Sequence, residues 1–420
     1  MHSKTEIERD MIQQEVLQRV IETQKNDSKR FRTGFRREIL LDLHAFQSQA
    51  LIVTGIRHGG KSTLLKQMFQ TDKSKKLFLN FEDPRLFNFY PADFEILDSI
   101  IEESKSTTLF LDEIQVIHGW ELYVLQKLNE GYRVVVTGSN ASMLSRTWGA
   151  KLTGRHVSKE LLPFSYREFL EFKSLQANEM SLNEYMETGG FPEFLKTGKT
   201  ETLIEIFHDI FNHDVLVRHG IKNLPALKNF AVYLTSNVGN HVTSSDLHES
   251  LGIKSTAMLA AFCSFLEDTS MVSFMPRFSY LYRNRIGAHS PRKIYVIDPG
   301  IIKIASVSLE ENRDHLLENL IYWELRRRGK KLCYFSEHKI ECDFLVMQNE
   351  KVEQVIQVCY ELSRENRERE MSGLKLALDS FKINNGLIIS FSQRDTVIHK
   401  GKRIEILPAW EFLTESSKKR

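Results

Sequence analysis

The chain has 420 residues, 41% hydrophobic and 27% charged, a composition that excludes disorder over most of its length. Its 57 lysines and arginines nearly balance 55 aspartates and glutamates, so only local basic patches can argue for nucleic-acid binding. The four cysteines are scattered without a CxxC pair, which argues against a disulfide framework or a structural zinc site.

The amino-terminal segment is charged and lacks the apolar core of a signal peptide. No stretch approaches the ~18 apolar residues that a bilayer-spanning helix needs. We therefore expect a cytoplasmic protein with no membrane partner. Residues 5–25 predict one amphipathic helix within an N-terminal segment, residues 1–29. The basic run that follows, residues 30–38, is either a solvated helix start or a phosphate contact.

Apolar runs alternate with helical patterns from about residue 30 to residue 160. The predicted strands are residues 50–54, 76–81, 107–111 and 133–137. The predicted helices between them are residues 62–70, 94–103 and 122–130. Continuous β-branched runs separated by helices indicate a parallel sheet covered on both faces, an α/β nucleotide-binding layout.

The pattern is then helical to residue 223, with a break at Gly189-Gly190-Phe191-Pro192. Residues 224–300 predict three helices, the last capped by Ser255, and then two strands, which is the order of a winged helix. Residues 301–420 predict a third unit in the order helix, three strands, helix and strand.

The most specific motif is Gly55-Ile56-Arg57-His58-Gly59-Gly60-Lys61-Ser62, which fits G-x-x-x-x-G-K-[ST] between a predicted strand and helix. Its backbone N–H groups and the helix N-terminus favour bound phosphate. We expect Lys61 to reach the β- and γ-phosphates of ATP and Ser62 to bind Mg²⁺. The candidate nucleotide-binding residues are Gly55, Arg57, His58, Gly59, Gly60, Lys61, Ser62 and Thr63.

Two further strands end in polar residues. Asp112 follows an apolar run and is expected to hold Mg²⁺, while Glu113 is the candidate general base for the attacking water. Asn140 follows the strand Val134-Val135-Val136. It either orients the water or the γ-phosphate, or it forms an Asx turn.

These motifs resemble the phosphate loop, acidic strand and first sensor of AAA-type ATPases. The phrases LTGRHVSKELLPFSYREFL, GGFPEFL, KIYVIDPG, LLENLIYWELRRRG and IQVCYEL resemble a prokaryotic AAA+ or STAND-like family that has a winged helix and a C-terminal nuclease-like domain. The resemblance implies an α/β P-loop NTPase core (30–160), a helical lid (161–223), a winged helix (224–300) and a PD-(D/E)xK, restriction-endonuclease-like domain (301–420).

The resemblance also implies roles for single residues. It puts Gly190 and Pro192 near the adenine base. It makes Arg155 a candidate arginine finger for a neighbouring subunit's nucleotide, with Arg146 and Arg218 as rivals. A finger that works in trans implies a homo-oligomer, with a hexameric ring as one arrangement.

The nuclease resemblance implies Glu318, Asp343 and Gln357 as metal ligands. Cys359 stands where that family has a lysine, and Lys375 on the following helix is a candidate replacement. The alternative is a fold that only binds DNA or a partner.

Basic residues of the last two units are candidate phosphate contacts, which position a protein on DNA without reading its sequence. They are Lys254, Arg283, Arg285, Arg326, Arg327 and Arg328. The predicted wing adds Arg277, Arg292 and Lys293. The alternatives are a solvated face, an ATPase lid or a dimerisation surface.

We therefore expect an ATP-hydrolysing, Mg²⁺-dependent protein that binds and remodels, or recognises, duplex or branched DNA. One alternative is an ATP-gated, metal-dependent DNA nuclease in defence against mobile DNA. The other is a signalling switch that binds a protein partner and no DNA.

Overall fold

A computed structural model of the chain describes residues 11–30, 34–41, 49–139, 154–218, 223–253, 255–279, 291–306, 312–338 and 340–415. The chain divides into two compact units between Leu161 and Leu162. No helix in these ranges is both long and apolar enough to cross a membrane.

The first unit is an α/β fold with a five-stranded parallel sheet in the order β2-β3-β4-β1-β5. Its helices and strands are α1 (Gln14–Arg30), β1 (Ala50–Thr54), α2 (Lys61–Thr71), β2 (Lys76–Asn80), α3 (Phe94–Ser104), β3 (Thr108–Asp112), α4 (Trp120–Asn129), β4 (Arg133–Gly138) and β5 (His156–Glu160). Because all strands are parallel, the carboxyl ends of β1, β3 and β4 meet at one edge.

Every residue of β1 and β3 is buried, as the continuous apolar runs predicted. Helix α1 packs Leu17 and Val20 into the same core as Leu97 of α3. It continues to Arg30, through a polar run where the sequence predicted its end. Residues 1–10, which include the predicted helix start, lie outside the described residues.

Strand β5 was not predicted. Its sequence, His-Val-Ser-Lys-Glu, is half exposed and has one aliphatic residue. It nevertheless pairs in parallel with β1, from Ala50 opposite His156 to Thr54 opposite Glu160. An edge strand can form without an apolar run because only part of it is covered.

The second unit combines helices with a three-stranded sheet, β6-β8-β7, and a six-stranded sheet, β13-β14-β12-β11-β10-β9. Its first part contains α5 (Tyr166–Lys173), α6 (Glu179–Thr188), α7 (Pro192–Thr197), α8 (Thr200–Arg218), α9 (Leu224–Ser236), β6 (His241–Val242), α10 (Ser244–Leu251), α11 (Thr256–Asp268), β7 (Val272–Pro276), β8 (Arg292–Val296) and α12 (Pro299–Ala305). Its second part contains α13 (Arg313–Arg327), β9 (Lys331–Glu337), β10 (Ile340–Gln348), β11 (Lys351–Cys359), α14 (Arg367–Ser380), β12 (Asn385–Ser390), β13 (Asp395–His399), β14 (Lys402–Pro408) and α15 (Ala409–Thr414).

Helices α9, α10 and α11 follow in the predicted order, and Ser255 caps α11 by accepting a hydrogen bond from the Met258 N–H. Strands β7 and β8 form the predicted strand pair, and they run antiparallel. The short strand β6, which pairs with β8, was not predicted.

The predicted boundary at residue 300 lies inside one continuous unit. The Asn319 amide of α13 accepts from the Val296 N–H (2.9 Å) and donates to the Val296 carbonyl (2.8 Å), as a neighbouring strand would. The Trp323 indole donates to the same carbonyl at 2.7 Å. After β7, the Phe278 N–H donates to the Tyr334 carbonyl of β9. Residues 272–296 are therefore joined to α13 and to the large sheet.

The Gly189-Gly190 break is a packing junction with Asp298. The Gly190 N–H donates to Asp298 Oδ2 at 2.6 Å, and the Gly300 N–H donates to Oδ1 at 2.8 Å. Burial raises the pKa of Asp298 to about 7, and these N–H groups oppose the rise. A Cβ on Gly190 would lie 2.3 Å from the Phe164 carbonyl oxygen. Two phrases that carry the family resemblance, GGFPEFL and KIYVIDPG, thus contact each other.

We predict that Gly190→Ala destabilises the second unit by about 3 kcal/mol, the upper end of the cost of overpacking, because the added carbon overlaps backbone. Gly198→Ala is the matched control: its φ is +66° but no atom lies within 4 Å of the added carbon, so strain alone should cost about 1 kcal/mol. Thermal unfolding followed by circular dichroism compares the two. Equal losses in Tm would contradict the packing role of Gly190.

Candidate functional site

The loop between β1 and α2 requires glycine at two positions. Gly55 has φ +140°, and a Cβ there would lie 2.1 Å from the Leu161 carbonyl oxygen. Gly60, which caps α2, has φ +99°. Backbone of this kind turns N–H groups inward at a helix N-terminus, as a phosphate site requires. The sequence motif therefore forms the expected loop.

Lys61 begins α2 with its side chain only 4% exposed. Its ammonium donates to the Ile56 carbonyl at 3.2 Å and lies 3.6 Å from Glu113 Oε1. The second distance is long for a charge-assisted hydrogen bond, so the ammonium is held loosely. A phosphate oxygen in this loop could compete for it.

Asp112 and Glu113 are both organised by Thr137 of β4. The Thr137 hydroxyl donates to Asp112 Oδ1 and accepts from the Glu113 N–H at 3.1 Å. Glu113 has φ +50°, a rare conformation for a non-glycine residue, which the Thr137 contact helps to hold. Sequence reasoning passed over Thr137 in favour of Asn140. A threonine directly after an apolar strand, beside the acidic strand, was the available signal.

The electrostatics of Asp112 fit a cation. Burial raises the pKa of Asp112 to about 6, with Glu113 adding to the rise and the Thr137 and Ser62 hydroxyls opposing it. Asp112 Oδ2 is buried and accepts no hydrogen bond from the described residues. A buried carboxylate oxygen without a donor costs free energy that a bound cation would recover. Ser62 and Asp112 can thus hold Mg²⁺.

Glu113 has a second partner, Gln115, whose amide donates to Glu113 Oε2. Gln115 was also missed, because an isolated glutamine after Asp-Glu gives no pattern. The other predicted loop residues lie in the loop or at the start of α2. Arg57 donates to Glu82 at 3.0 Å, His58 has φ +61°, and Thr63 lies in the first turn of α2.

The basic run before β1 reaches the phosphate loop through Arg37. This side chain is buried and donates to the Gly59 carbonyl at 3.0 Å. Gln67 of α2 donates to the Phe35 carbonyl at 2.8 Å, which fixes the same segment to the helix. Arg37 therefore supports the loop backbone, a role between the two alternatives that the sequence left open.

Arg155 lies just before β5, at the amino ends of the parallel strands. That edge is opposite to the phosphate loop of its own chain. The guanidinium is exposed and donates to the Asn129 side chain at the end of α4. Asn140, Arg146 and the Arg218 side chain lie outside the described residues. The predicted contact of Gly190 and Pro192 with adenine stays a prediction.

In the second unit the predicted metal ligands line one cleft of about 590 Å³ together with Lys293 of β8. The Lys293 ammonium lies 2.7 Å from Glu318, 2.8 Å from Glu341 and 3.0 Å from Asp343. Burial opposes its charge, but the three carboxylates raise the pKa of Lys293 well above the ordinary value. In the part of the chain that the structure describes, no group of three His, Cys, Asp or Glu side chains has a metal-binding arrangement.

This placement corrects two interpretations. Lys293 was a candidate phosphate contact on the predicted wing, yet its side chain is 3% exposed and pairs with carboxylates. Lys375, the candidate replacement for the nuclease lysine, pairs with the exposed Glu368 at 3.5 Å instead. Gln357 is also in the cleft, where its amide donates to Glu370.

The arginine run at the end of α13 is mostly used within the chain. Arg327 donates to the Pro163 carbonyl at 2.8 Å. Arg328 pairs with Glu324 at 2.7 Å and donates to the Phe412 carbonyl. These contacts give Arg327 and Arg328 a structural role, and Arg326 is the exposed member. Lys254, Arg283 and Arg285 lie outside the described ranges.

Residues 47–170 match the AAA domain family, and residues 179–312 match a domain of unknown function, DUF8612. The uncharacterized protein MJ1544 of Methanocaldococcus jannaschii is 31% identical over 403 residues, 89% of this chain and 90% of that protein. The chain belongs to the same family as MJ1544. The match to the AAA domain includes the phosphate loop, and it supports ATP hydrolysis as the activity of the first unit.

The chain is also similar to two further proteins. An uncharacterized protein of Haemophilus influenzae is 28% identical over 343 residues, 76% of this chain and 84% of that protein. The Walker-type ATPase PABY2304 of Pyrococcus abyssi aligns with 64% of this chain and 95% of its own, at 15% identity and a TM-score of 0.39. A likeness at that level carries no argument about activity.

We predict that Thr137→Val lowers the ATP hydrolysis rate by roughly 10- to 100-fold, because it removes the hydroxyl that orients both acids. Thr137→Ser keeps the hydroxyl and is expected to keep most of the rate. Phosphate release under saturating ATP measures both variants. Equal rates for valine and serine would show that the hydroxyl does not matter.

Proposed function

We propose that this protein is an ATP-hydrolysing switch of AAA type that acts on DNA. One observation carries the proposal. Lys61 at the start of α2, and the consecutive acids Asp112 and Glu113 at the end of β3, meet beside a glycine loop whose backbone suits phosphate. The strand order and the AAA family match support the same conclusion for the first unit.

The geometry suggests a division of labour. ATP with its Mg²⁺ supplies a transferable γ-phosphoryl group. The loop N–H groups and Lys61 hold the phosphates, and Ser62 with Asp112 holds the cation. If Lys61 turns to phosphate, its contact with Glu113 is lost. Glu113 would then accept the proton of the attacking water, while Gln115 keeps the carboxylate oriented.

DNA contact and assembly, as parts of the proposal, are supported by other observations. The order of α9, β6, α10, α11, β7 and β8 supports a winged helix. The exposed Arg326 supports a phosphate contact, together with the basic sequence near Arg283 and Arg285. The position of Arg155, away from its own phosphate loop, supports a finger that acts in trans within a homo-oligomer.

The second unit is proposed to bind DNA or a partner without cutting. The order α13, β9, β10, β11, α14 and β12 supports a nuclease-like fold. Its acids, however, surround the Lys293 ammonium. Glu318 and Asp343 are therefore neutralised from within the chain, which disfavours the nuclease alternative.

ATP hydrolysis with and without DNA tests this function. We expect Glu113→Gln to lower the rate by roughly 10²- to 10⁴-fold while nucleotide still binds, because the amide cannot take a proton. Glu102→Gln, an exposed acid on α3, is the matched control. Duplex, single-stranded and four-way-junction DNA are compared, and labelled DNA is checked for cleavage on a gel.

The outcomes separate the alternatives. Stimulation of Glu113-dependent hydrolysis by one DNA form, with that DNA left intact, supports the switch. Metal-dependent cutting that Asp343→Ala abolishes would favour the nuclease. Hydrolysis unchanged by every DNA form would overturn the DNA part of the proposal and leave a signalling ATPase.

A mixing experiment tests the finger. Arg155→Ala and Glu113→Gln are each expected to lose most activity, roughly 10³-fold for the arginine. Mixed in equal amounts, they should recover about a quarter of the native rate, since that share of sites combines a native Glu113 with a neighbour's Arg155. No recovery in mixed oligomers, with mixing verified by tagged chains, would assign the finger to another arginine.

A further inference from the structure

The cleft of the second unit is built around one lysine that comes from outside the large sheet. Lys293 lies on β8, Glu318 lies on α13, and Glu341 and Asp343 lie two residues apart on β10. The register of β10 against β9 shifts between Cys342 and Leu345, next to Asp343. Three separate elements thus deliver charges to one point.

The donors and acceptors at this point balance. An ammonium has three N–H donors, and Lys293 has three carboxylate partners within 2.7–3.0 Å. Glu318 and Asp343 are less than a tenth exposed, so water cannot replace these contacts cheaply. The arrangement resembles the way in which carboxylates surround a metal ion.

Further contacts fix the carboxylates in place. Glu341 Oε2 is 2.7 Å from His241, and Asp343 Oδ2 accepts from the Val358 N–H at 2.9 Å. The Tyr295 hydroxyl donates to Glu318 at 2.6 Å. The carboxylates are therefore oriented even without their cation.

An independent observation points to a ligand position in the same cleft. Gln357 is only 6% exposed, and its Oε1 has no hydrogen-bond partner among the described residues. Its Nε2 is engaged by Glu370 at 3.2 Å. A buried amide oxygen without a donor is costly, and it is a suitable ligand for a hard cation.

We propose that the Lys293 ammonium is the built-in cation of this cleft and occupies the position of a divalent metal ion. The native cleft then binds no divalent ion, and removing the ammonium converts the cleft into a metal site formed by Glu318, Asp343 and Gln357. This inference goes beyond the proposed function and does not depend on ATP hydrolysis or on DNA binding.

The physical reason is charge. Three carboxylates around a buried ammonium leave no room at 2.7–3.0 Å for a second cation, and like charges at that range repel strongly. Without the ammonium, the buried carboxylates are uncompensated, which is strongly destabilising. A divalent ion would then be the available replacement, and the cleft gives it a path from solvent.

The test measures Mn²⁺ binding to the full chain without nucleotide, by electron paramagnetic resonance of the free ion. The chains are the native protein, Lys293→Met, Lys293→Arg as the charge-keeping control, and Lys293→Met with Asp343→Asn. We expect Lys293→Met to bind one Mn²⁺ per chain more than each of the other three chains, so that any ion held by Ser62 and Asp112 cancels in the comparison. Mn²⁺ should also raise the Tm of Lys293→Met by at least about 3 °C more than that of the native chain.

Each outcome decides the proposal. Stoichiometric Mn²⁺ binding to the native chain that Asp343→Asn abolishes would overturn it, because metal and lysine would then coexist. A folded Lys293→Met chain that binds no more Mn²⁺ than the native chain would overturn it too. If this variant folds only when Mn²⁺ is present, the metal has replaced the ammonium, and the proposal stands. If Lys293→Met folds neither with nor without Mn²⁺, the metal cannot replace the ammonium, and the proposal falls.

Discussion

A buried carboxylate must have a cation or several donors beside it, and this constraint shapes both units. In each, a lysine that is less than 5% exposed lies beside acidic side chains on or next to one strand. The two lysines differ in how tightly they are held. Lys61 lies 3.6 Å from a single carboxylate and is available to a phosphate. Lys293 is within 3.0 Å of three carboxylates, with no donor to spare. The Lys61 ammonium can therefore exchange its carboxylate for a phosphate, whereas all three donors of the Lys293 ammonium are occupied.

Sequence reasoning found the first centre because its parts are local. Glycines, Lys61 and Ser62 are consecutive, and Asp112 follows an unmistakably apolar strand. The parallel sheet then brings strand ends together without further information. The nuclease resemblance named three residues of the second centre, Glu318, Asp343 and Gln357, but nothing in the sequence placed a lysine among them. Lys293 is 25 residues from Glu318 and 50 from Asp343, and it comes from a different sheet. No pattern along the chain reports such a pairing, and the lysine resembled its exposed basic neighbours.

Elements were predicted well where burial is uniform and poorly where it is partial. The runs at β1, β3 and β4 gave strands within about a residue of those observed. Strand β5 and the β13–β14 pair were missed, because β5 has one aliphatic residue and β13 is mostly exposed. The same limit applies to Gln115, whose residue type carries no signal. Thr137 had a signal in its place at the end of an apolar run, but only the fold shows that it contacts both acids.

The contact between Asn319 and Val296 has a consequence for modularity. The Asn319 side-chain amide pairs with the backbone of β8, so the hydrogen bonding of the three-stranded sheet continues into α13. Separating the six-stranded sheet at residue 300 would leave Glu318, Glu341 and Asp343 without the ammonium that neutralises them. A fragment made of residues 224–300 would contain Lys293 without its three carboxylate partners. The two modules suggested by the sequence therefore share one set of buried charges, and either of them alone would carry buried charge without its partner.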